Sequence, residues 1–328
     1  FKTLPGFEPP RRAHSVQTNP SRSRAFNVNT VSASINTTRI DGITTTNPLL
    51  PHITGYVPSL DSIDTVNVVT NSFDAEQGLA GGAAITVRMK SGTNDFHGSA
   101  FFVHHSNPLR AKRYLYPYPR DENGNDLRVG KYIYNQWGGS VGGPILQDKL
   151  FFFVSYEGLT NRRFANIIGS VPTQSVREGN FDNLGVTVYD PRTGNPDGSG
   201  RAPFPNNTIP EDRWDLINKE MLAKLPLPNI SGEQTSENNN YLGEGIFEWD
   251  RFTLDTKIDW VISDRFNLFG RVSALDYEVV DPSIFGNDNI VGRNLYNRGF
   301  EGGNVGTGEG VTYTFGLGAN FVVNPSLI

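Results

Sequence analysis

Two adjacent histidines, His104 and His105, are the first residues in this chain whose type suggests metal or proton-transfer chemistry. They lie in an apolar, strand-like stretch, and neighbours on a strand point to opposite faces, so the pair does not converge on one ion. Asp121-Glu122-Asn123-Gly124-Asn125-Asp126 resembles the opening of a calcium loop. It lacks glycine at the sixth position, and Tyr132 stands where a bidentate glutamate would close the site, so it reads as a solvated turn. Asp190, Asn195 and Asp197 carry the same reservation. No G-x-S-x-G context frames a serine nucleophile. The chain has no cysteine, which removes a thiol nucleophile, a Cys-ligated zinc site and a disulfide framework. Gly138-Gly139 and Gly142-Gly143 precede no helix, so they are not a phosphate cradle, and close strand packing accounts for them. The expectation is no catalysis, no cofactor and no metal.

A different chemistry shows at alternate positions. Arg251, Asp255, Lys257 and Asp259 interleave with Phe252, Leu254, Ile258 and Trp260. One face of this strand is apolar and the other carries four charges. Past the short turn Ser263-Asp264, Phe266, Leu268, Val272 and Ala274 alternate with Arg265, Asn267, Arg271 and Ser273. Val311, Tyr313, Phe315, Leu317, Ala319, Phe321 and Val323 then alternate with Thr312, Thr314, Gly316, Gly318 and Asn320.

The elements that position these residues follow from the same patterns. Phe1 to Arg24 is basic, Pro-containing and irregular, and Val28 to Ile35 alternates loosely. Thr38–Ile43 is a short strand with an Asp-Gly turn, Thr44 to Pro58 a Pro-containing loop, and Ile63–Val69 and Ala84–Met89 are strands. These make a small α+β or β module ending near Asn94. Gly98–His105, Tyr132–Val141 and Leu150–Glu157 are three apolar strands. Thr160 to Glu248 reads as a long loop with helical spacing over Glu211–Leu225, capped by Asp212.

Composition sets limits. The 328 residues hold 29 Lys+Arg and 34 Asp+Glu, a net charge of −5, which disfavours a polyanion-binding protein. The 21 Phe and 12 Tyr against 2 Met favour strands and loops over helices. No apolar run is long enough for a transmembrane helix, which leaves a strand-built span open. Turns at 147–149 and 263–264 are short, whereas connections near 107–131, 160–249 and 276–309 are long. Outer-membrane barrels have that asymmetry, and a soluble sandwich has no reason for it. Trp137, Trp249, Trp260, Phe266, Tyr277 and Phe321 near strand ends suit interfacial belts. The alternation then turns Arg251, Asp255, Lys257, Asp259 and Arg271 toward a wet lumen and their neighbours toward lipid. The fold expected is an all-β-dominated transmembrane antiparallel β-barrel with an N-terminal module. Six strands are too few for such a lumen, so they read as part of a larger barrel. Phe1 and Asn324-Pro325-Ser326-Leu327-Ile328 both read as ends cut from something longer.

Several motifs in order resemble the plug of TonB-dependent outer-membrane receptors. They are Thr38-Arg39-Ile40-Asp41-Gly42-Ile43, Leu60 to Val68, Ala75-Glu76-Gln77-Gly78, and Gly81-Gly82-Ala83-Ala84-Ile85-Thr86-Val87-Arg88-Met89-Lys90 with Ser91-Gly92-Thr93-Asn94. The plug-to-barrel continuation Asp95 to Phe102, Asn135 to Ile145, Asp148 to Phe153 with Tyr156-Glu157-Gly158, and Asp264 to Arg271 is similar to the Oar-like subgroup. Gln77-Gly78 departs from the usual Tyr-Gly, and Arg88-Met89-Lys90 from Val-Thr-Lys. The resemblance implies residues 1–95 as the C-terminal part of a plug and 96–328 as the first barrel strands, in the outer membrane of a Gram-negative-type bacterium.

It implies energised uptake of an unknown ligand, captured by extracellular loops and a plug apex at Asn47, His52 and Tyr56, with the Trp214–Leu225 helix as a lid or docking surface. The implied partners are a TonB-type energy-transducing protein, reached through a segment absent from this chain, outer-membrane lipid or lipopolysaccharide, and other outer-membrane or surface proteins, but no nucleic acid. The competing readings are a structural or assembly component of a larger outer-membrane complex and a β-rich surface adhesin.

Overall fold

The structure, a computed structural model, describes residues 6–8, 26–47, 49, 54–70, 81–109, 132–230, 236–285 and 305–323. β1 (Phe7–Glu8) and β2 (Asn27–Val28) form a short antiparallel pair. β3 (Thr37–Ile40), β4 (Ile43–Thr44), β5 (Ile63–Val69) and β6 (Ala84–Met89) build a small sheet in the order β4-β3-β6-β5, with β3 and β6 parallel. β7 (His97–Ser106), β8 (Tyr132–Leu146), β9 (Leu150–Gly169), β10 (Tyr241–Ser263), β11 (Phe266–Asp281) and β12 (Gly306–Phe321) form an up-and-down antiparallel wall in chain order. The long connection holds α1 (Gln174–Arg177) and α2 (Leu216–Ala223).

The wall is two-faced. On β10, Thr253 and Asp255 are buried while Leu254 and Ile258 are 43% and 44% exposed. On β12, Val311, Tyr313, Phe315 and Leu317 are 56–74% exposed on one side, and Gly308, Gly310, Thr312, Thr314, Gly316 and Gly318 line the other. The polar face is covered by the small sheet. The apolar face is bare in the isolated chain, as a surface meant for hydrocarbon must be. The glycine spacing on β12 has a packing role: the rings of Tyr277 and Phe269 lie where a Cβ at Gly310 and Gly318 would stand.

The two short connections behave differently. In the 147–149 turn Asp148 takes a left-handed backbone (φ 62°), as a three-residue hairpin requires. Asp264-Arg265 joins β10 to β11 in two residues. The chain passing from the small sheet into β7 is tied to the first turn by a reciprocal pair. Asp148 N donates to Asn94 Oδ1 at 2.8 Å, and Asn94 Nδ2 donates to Asp148 Oδ1 at 2.7 Å. There Gly92 runs against wall backbone so closely that a Cβ would meet Phe152 O at 2.3 Å.

Several expectations are corrected. β9 continues to Gly169 and β10 starts at Tyr241, so the long connection is 170–240. β11 continues to Asp281 and β12 starts at Gly306. β10 has 23 residues, where a tilted span needs only about 9–11. The excess, on the order of 40 Å at ~3.3 Å per residue, projects beyond the membrane. There the outer face no longer meets lipid and the inner face holds a buried apolar cluster of Leu159, Phe247 and Trp249, so the apolar-out, polar-in alternation that marks the span fades. The loose alternation of 28–35 is not a strand: Asn29 and Thr30 have φ of 48° and 68°, and a 3-10 turn follows at Ala33–Ile35. α2 is capped by Asp215, which accepts from Asn218 N, while Asp212 lies in a separate 3-10 turn. Trp249 and Tyr277 do not belong to a lipid belt. They stack on the inner face, with ring centroids 6.0 Å apart and Trp249 buried. The calcium-like run 121–126 lies outside the described residues.

Candidate functional site

Register brings six inward-facing residues to one height. Ser99 pairs with Ser140, Ser140 with Ser155, Ser155 with Asp255, Asp255 with Ser273, and Ser273 with Thr314. The row crosses all six wall strands and consists of five hydroxyls and one carboxylate. The segment 54–62 of the small sheet's loop docks on it. The buried Asp255 carboxylate accepts from Ser59 N and Ser59 Oγ at 3.0 Å each, from the Tyr56 phenol, and from Ser273 Oγ at 2.8 Å. Three of those four donors come from the docking segment. Ser59 Oγ also meets Ser155 Oγ at 2.7 Å, and Ser99 Oγ donates to Asp61, whose other oxygen takes Lys90 at 3.2 Å. A buried carboxylate without a cation is stable only when donors saturate it, and this one is saturated across the interface. Burial, and then the Asp255 charge, push the Tyr56 phenol far above its ordinary range, so it remains a donor.

The rows on either side carry ions. Below, Lys257 and Arg271 are direct cross-strand partners, a repulsive pairing on its own. Asp41 of the small sheet enters between them, 3.4 Å from Lys257 Nζ and 3.9 Å from Arg271 Nε. The turn between β3 and β4 presents it: Asp41 and Gly42 both have positive φ, 48° and 80°, as a tight primed hairpin turn demands. Lys257 also donates to Met89 O at 3.3 Å. Above, the buried Glu157 accepts from Leu60 N at 3.1 Å and pairs with Arg251. Apolar contacts also cross the seam: Leu275 of β11 packs into the small sheet's core with Phe26, Val28, Ile40, Tyr56, Ile85 and Val87, Tyr277 packs beside it, and Ile43 lies against Gly316 of β12.

Of the residues singled out from sequence, Arg251, Asp255, Lys257, Asp259 and Arg271 all lie on the inner face, and each except Asp259 makes a contact just described. Tyr56 does not stand free at a tip; it is buried against Asp255. Asn47 turns its own loop, its Oδ1 accepting from Leu49 N at 2.9 Å. His52 lies outside the described residues. His104 contacts Asn135 at 2.7 Å, while His105 packs edge-on to Tyr134. Sequence reasoning missed Asp41, Ser59, Asp61, Ser155, Glu157 and Ser273 as one site. The signal was a hydroxyl or carboxylate at matching heights on neighbouring strands, which is visible only once register is known.

The connection 170–240 has its own polar skeleton. Arg213 grips Asp190 through both nitrogens, at 2.7 and 2.9 Å, and lies 5.4 Å above the Phe204 ring. The Arg213 hydrogen bonds, then the backbone N–H of Arg192, pull the Asp190 carboxyl from its usual value near 3.8 down to about 2. Asp197 is committed to Ser199.

A family profile described as an outer membrane beta barrel domain matches residues 88–328. The TonB-dependent transporter Oar of Myxococcus xanthus is 30% identical over 119 residues, covering 36% of this chain and 11% of that protein. Among solved structures, the siderophore receptor PirA of Acinetobacter baumannii is similar with a TM-score of 0.41 at 12% identity, over 92% of this chain and 32% of that one. A mutant of the ferric enterobactin receptor PfeA of Pseudomonas aeruginosa gives 0.39 at 11% identity, over 95% of this chain and 38% of that one. The chain thus spans about a tenth of the length of Oar and at most two-fifths of these receptors.

Two outcomes follow from this geometry. Asp255→Ala strands the donors of Tyr56, Ser59 and Ser273 in a buried seam, each costing about 1–3 kcal/mol. Urea unfolding of the small sheet, followed by protease sensitivity, moves to markedly lower urea, and an unchanged midpoint refutes the saturated-carboxylate account. For Asp190, the folded value lies below the unfolded one, so its stabilisation is present above pH 4 and is lost as pH falls toward 2. Hydrogen exchange over 188–213, corrected for intrinsic rate, is therefore slow at pH 5 and fast at pH 2, and a flat profile contradicts the pairing.

Proposed function

The chain belongs to the outer membrane β-barrel domain family, located in the Gram-negative outer membrane, and on that premise we propose that it is the plug-proximal part of a TonB-dependent receptor for ligand uptake. In this reading residues 1–95 contribute the end of a plug, and 96–328 the first strands of a barrel wider than six strands. The long connections lie outside the cell and, with the apex loop around Asn47 and His52, meet the ligand first. A TonB-type protein acts on the plug from the periplasm. In this reading the chain binds and moves its ligand without bond chemistry.

The observation that carries the reading is the makeup of the seam. The small sheet is held to the wall through Asp255, Glu157 and Asp41 by hydrogen bonds and ion pairs, with a smaller apolar contribution from Leu275, Tyr277 and Ile43. Water can replace polar contacts one at a time as the surfaces part, whereas an apolar interface of that extent resists wetting. A polar seam of this kind suits a part that stays seated at rest and shifts under force.

These 328 residues hold no cysteine, so once any cysteine elsewhere in the receptor is replaced, a single introduced thiol reports one position. Ser62 is fully buried and bonds to Ser59 O at 2.8 Å. With Ser62→Cys in the full-length receptor, a bulky maleimide labels the thiol several-fold faster in energised cells than in cells treated with a protonophore. Equal rates in both remove energised plug movement from the account.

A further inference from the structure

The connection 170–240 holds a solvent-open groove of about 580 Å³ between α1 and α2, within the size range of small-molecule sites. Its lining is largely apolar, with Phe181, Trp214, Met221, Leu222 and Leu225. Three cations also line it, and their charges are answered differently. Arg213 is neutralised by Asp190. Lys219 pairs with Glu211 and lies 5.9 Å from the centre of the Trp214 ring. Arg177 spends its hydrogen bonds on carbonyls: Nε donates to Pro172 O at 2.9 Å, Nη1 to Leu222 O and Leu225 O at 2.8 and 2.9 Å, and Nη2 to Pro226 O, while Glu237 acts on it through space without an ion pair.

A guanidinium carries five N–H groups. Four of Arg177's are used, one on Nη2 remains, and no carboxylate among the described residues forms an ion pair with it. The carbonyls fix its position at the C-terminal end of α2 without cancelling its charge. In an apolar setting that residual charge acts strongly on an incoming anion. The walls are set in advance. Trp214 Nε1 donates to Ile209 O at 3.0 Å, Asp215 caps α2, and Gly179 (φ 80°) lets the chain pass so close that a Cβ there would strike Ile209 O. A ligand entering this space finds its shape already made, which lowers the entropic cost of binding.

We propose that this groove binds a small organic anion with an apolar body, an aryl or alkyl carboxylate, whose carboxylate meets Arg177 and whose body packs on Trp214, Met221 and Leu222. The assignment rests on the receptor reading above only for the side of the membrane on which the groove opens.

The probe is 4-phenylbutyrate, compared with its uncharged amide, on the full-length receptor in lipid nanodiscs against empty nanodiscs. Saturation-transfer NMR shows saturable binding of the acid at least ten-fold tighter than the amide. Arg177→Gln removes that preference, and Leu222→Trp, which fills the groove while keeping Arg177, abolishes binding of both. Equal affinity for acid and amide, no saturable binding, or binding untouched by Leu222→Trp overturns the proposal. Whole cells separate it from the receptor reading. Saturable binding by intact cells supports both. Binding by the purified protein that intact cells show only after permeabilisation overturns the extracellular placement and leaves the groove assignment standing.

Discussion

A strand at membrane depth has no freedom over its two faces. Its backbone groups must be satisfied by neighbouring strands, one row of side chains must suit hydrocarbon, and the other must suit whatever fills the lumen. Everything in this chain follows from that division. Phe315 and Leu317 are acceptable only outward, and Asp255 only inward. Because the inward row is polar, whatever sits against it must bring matching donors and charges. The small sheet does so at three heights, with Asp41 between Lys257 and Arg271, Tyr56 and Ser59 on Asp255, and Leu60 on Glu157.

That arrangement makes wall and small sheet complete one another. Without Asp41, two cations face each other across β10 and β11. Without the 54–62 segment, Asp255 loses three of its four donors. Breaking a buried charge network from one side is costly because the other side is left uncompensated. The network therefore specifies a seat as well as holding it: a shift by one residue would put apolar side chains against the hydroxyl row.

Much of the fold was legible because the bilayer imposes a period. Strict alternation over 252–260 and 311–323 marked strands and told their faces apart, and Asp41-Gly42 declared its turn. Legibility failed where that constraint lapses. Beyond the membrane, 160–169 and 241–250 alternate poorly, so these strand segments look like loop in the sequence. The inward charges were visible one strand at a time. Their partners were not, because Ser99, Ser140, Ser155 and Ser273 become a row only through register across strands up to 174 positions apart in sequence. Tyr56 is conspicuous for its loop, but its direction is not written in its neighbours. A tyrosine in a Pro-containing loop looks exposed until the aspartate nearly two hundred residues later is placed beside it.

The claim that the 54–62 segment is seated on the hydroxyl row is tested most directly by covalent capture. Ser59 Oγ and Ser155 Oγ are 2.7 Å apart, so thiols at those positions need only a small shift to bond. In the full-length receptor carrying Ser59→Cys and Ser155→Cys, isolated outer membranes under mild oxidation are expected to give near-complete disulfide formation, read as a mobility change that reductant reverses. Persistence of both thiols in free form, in a receptor that otherwise folds, would contradict the seat described here.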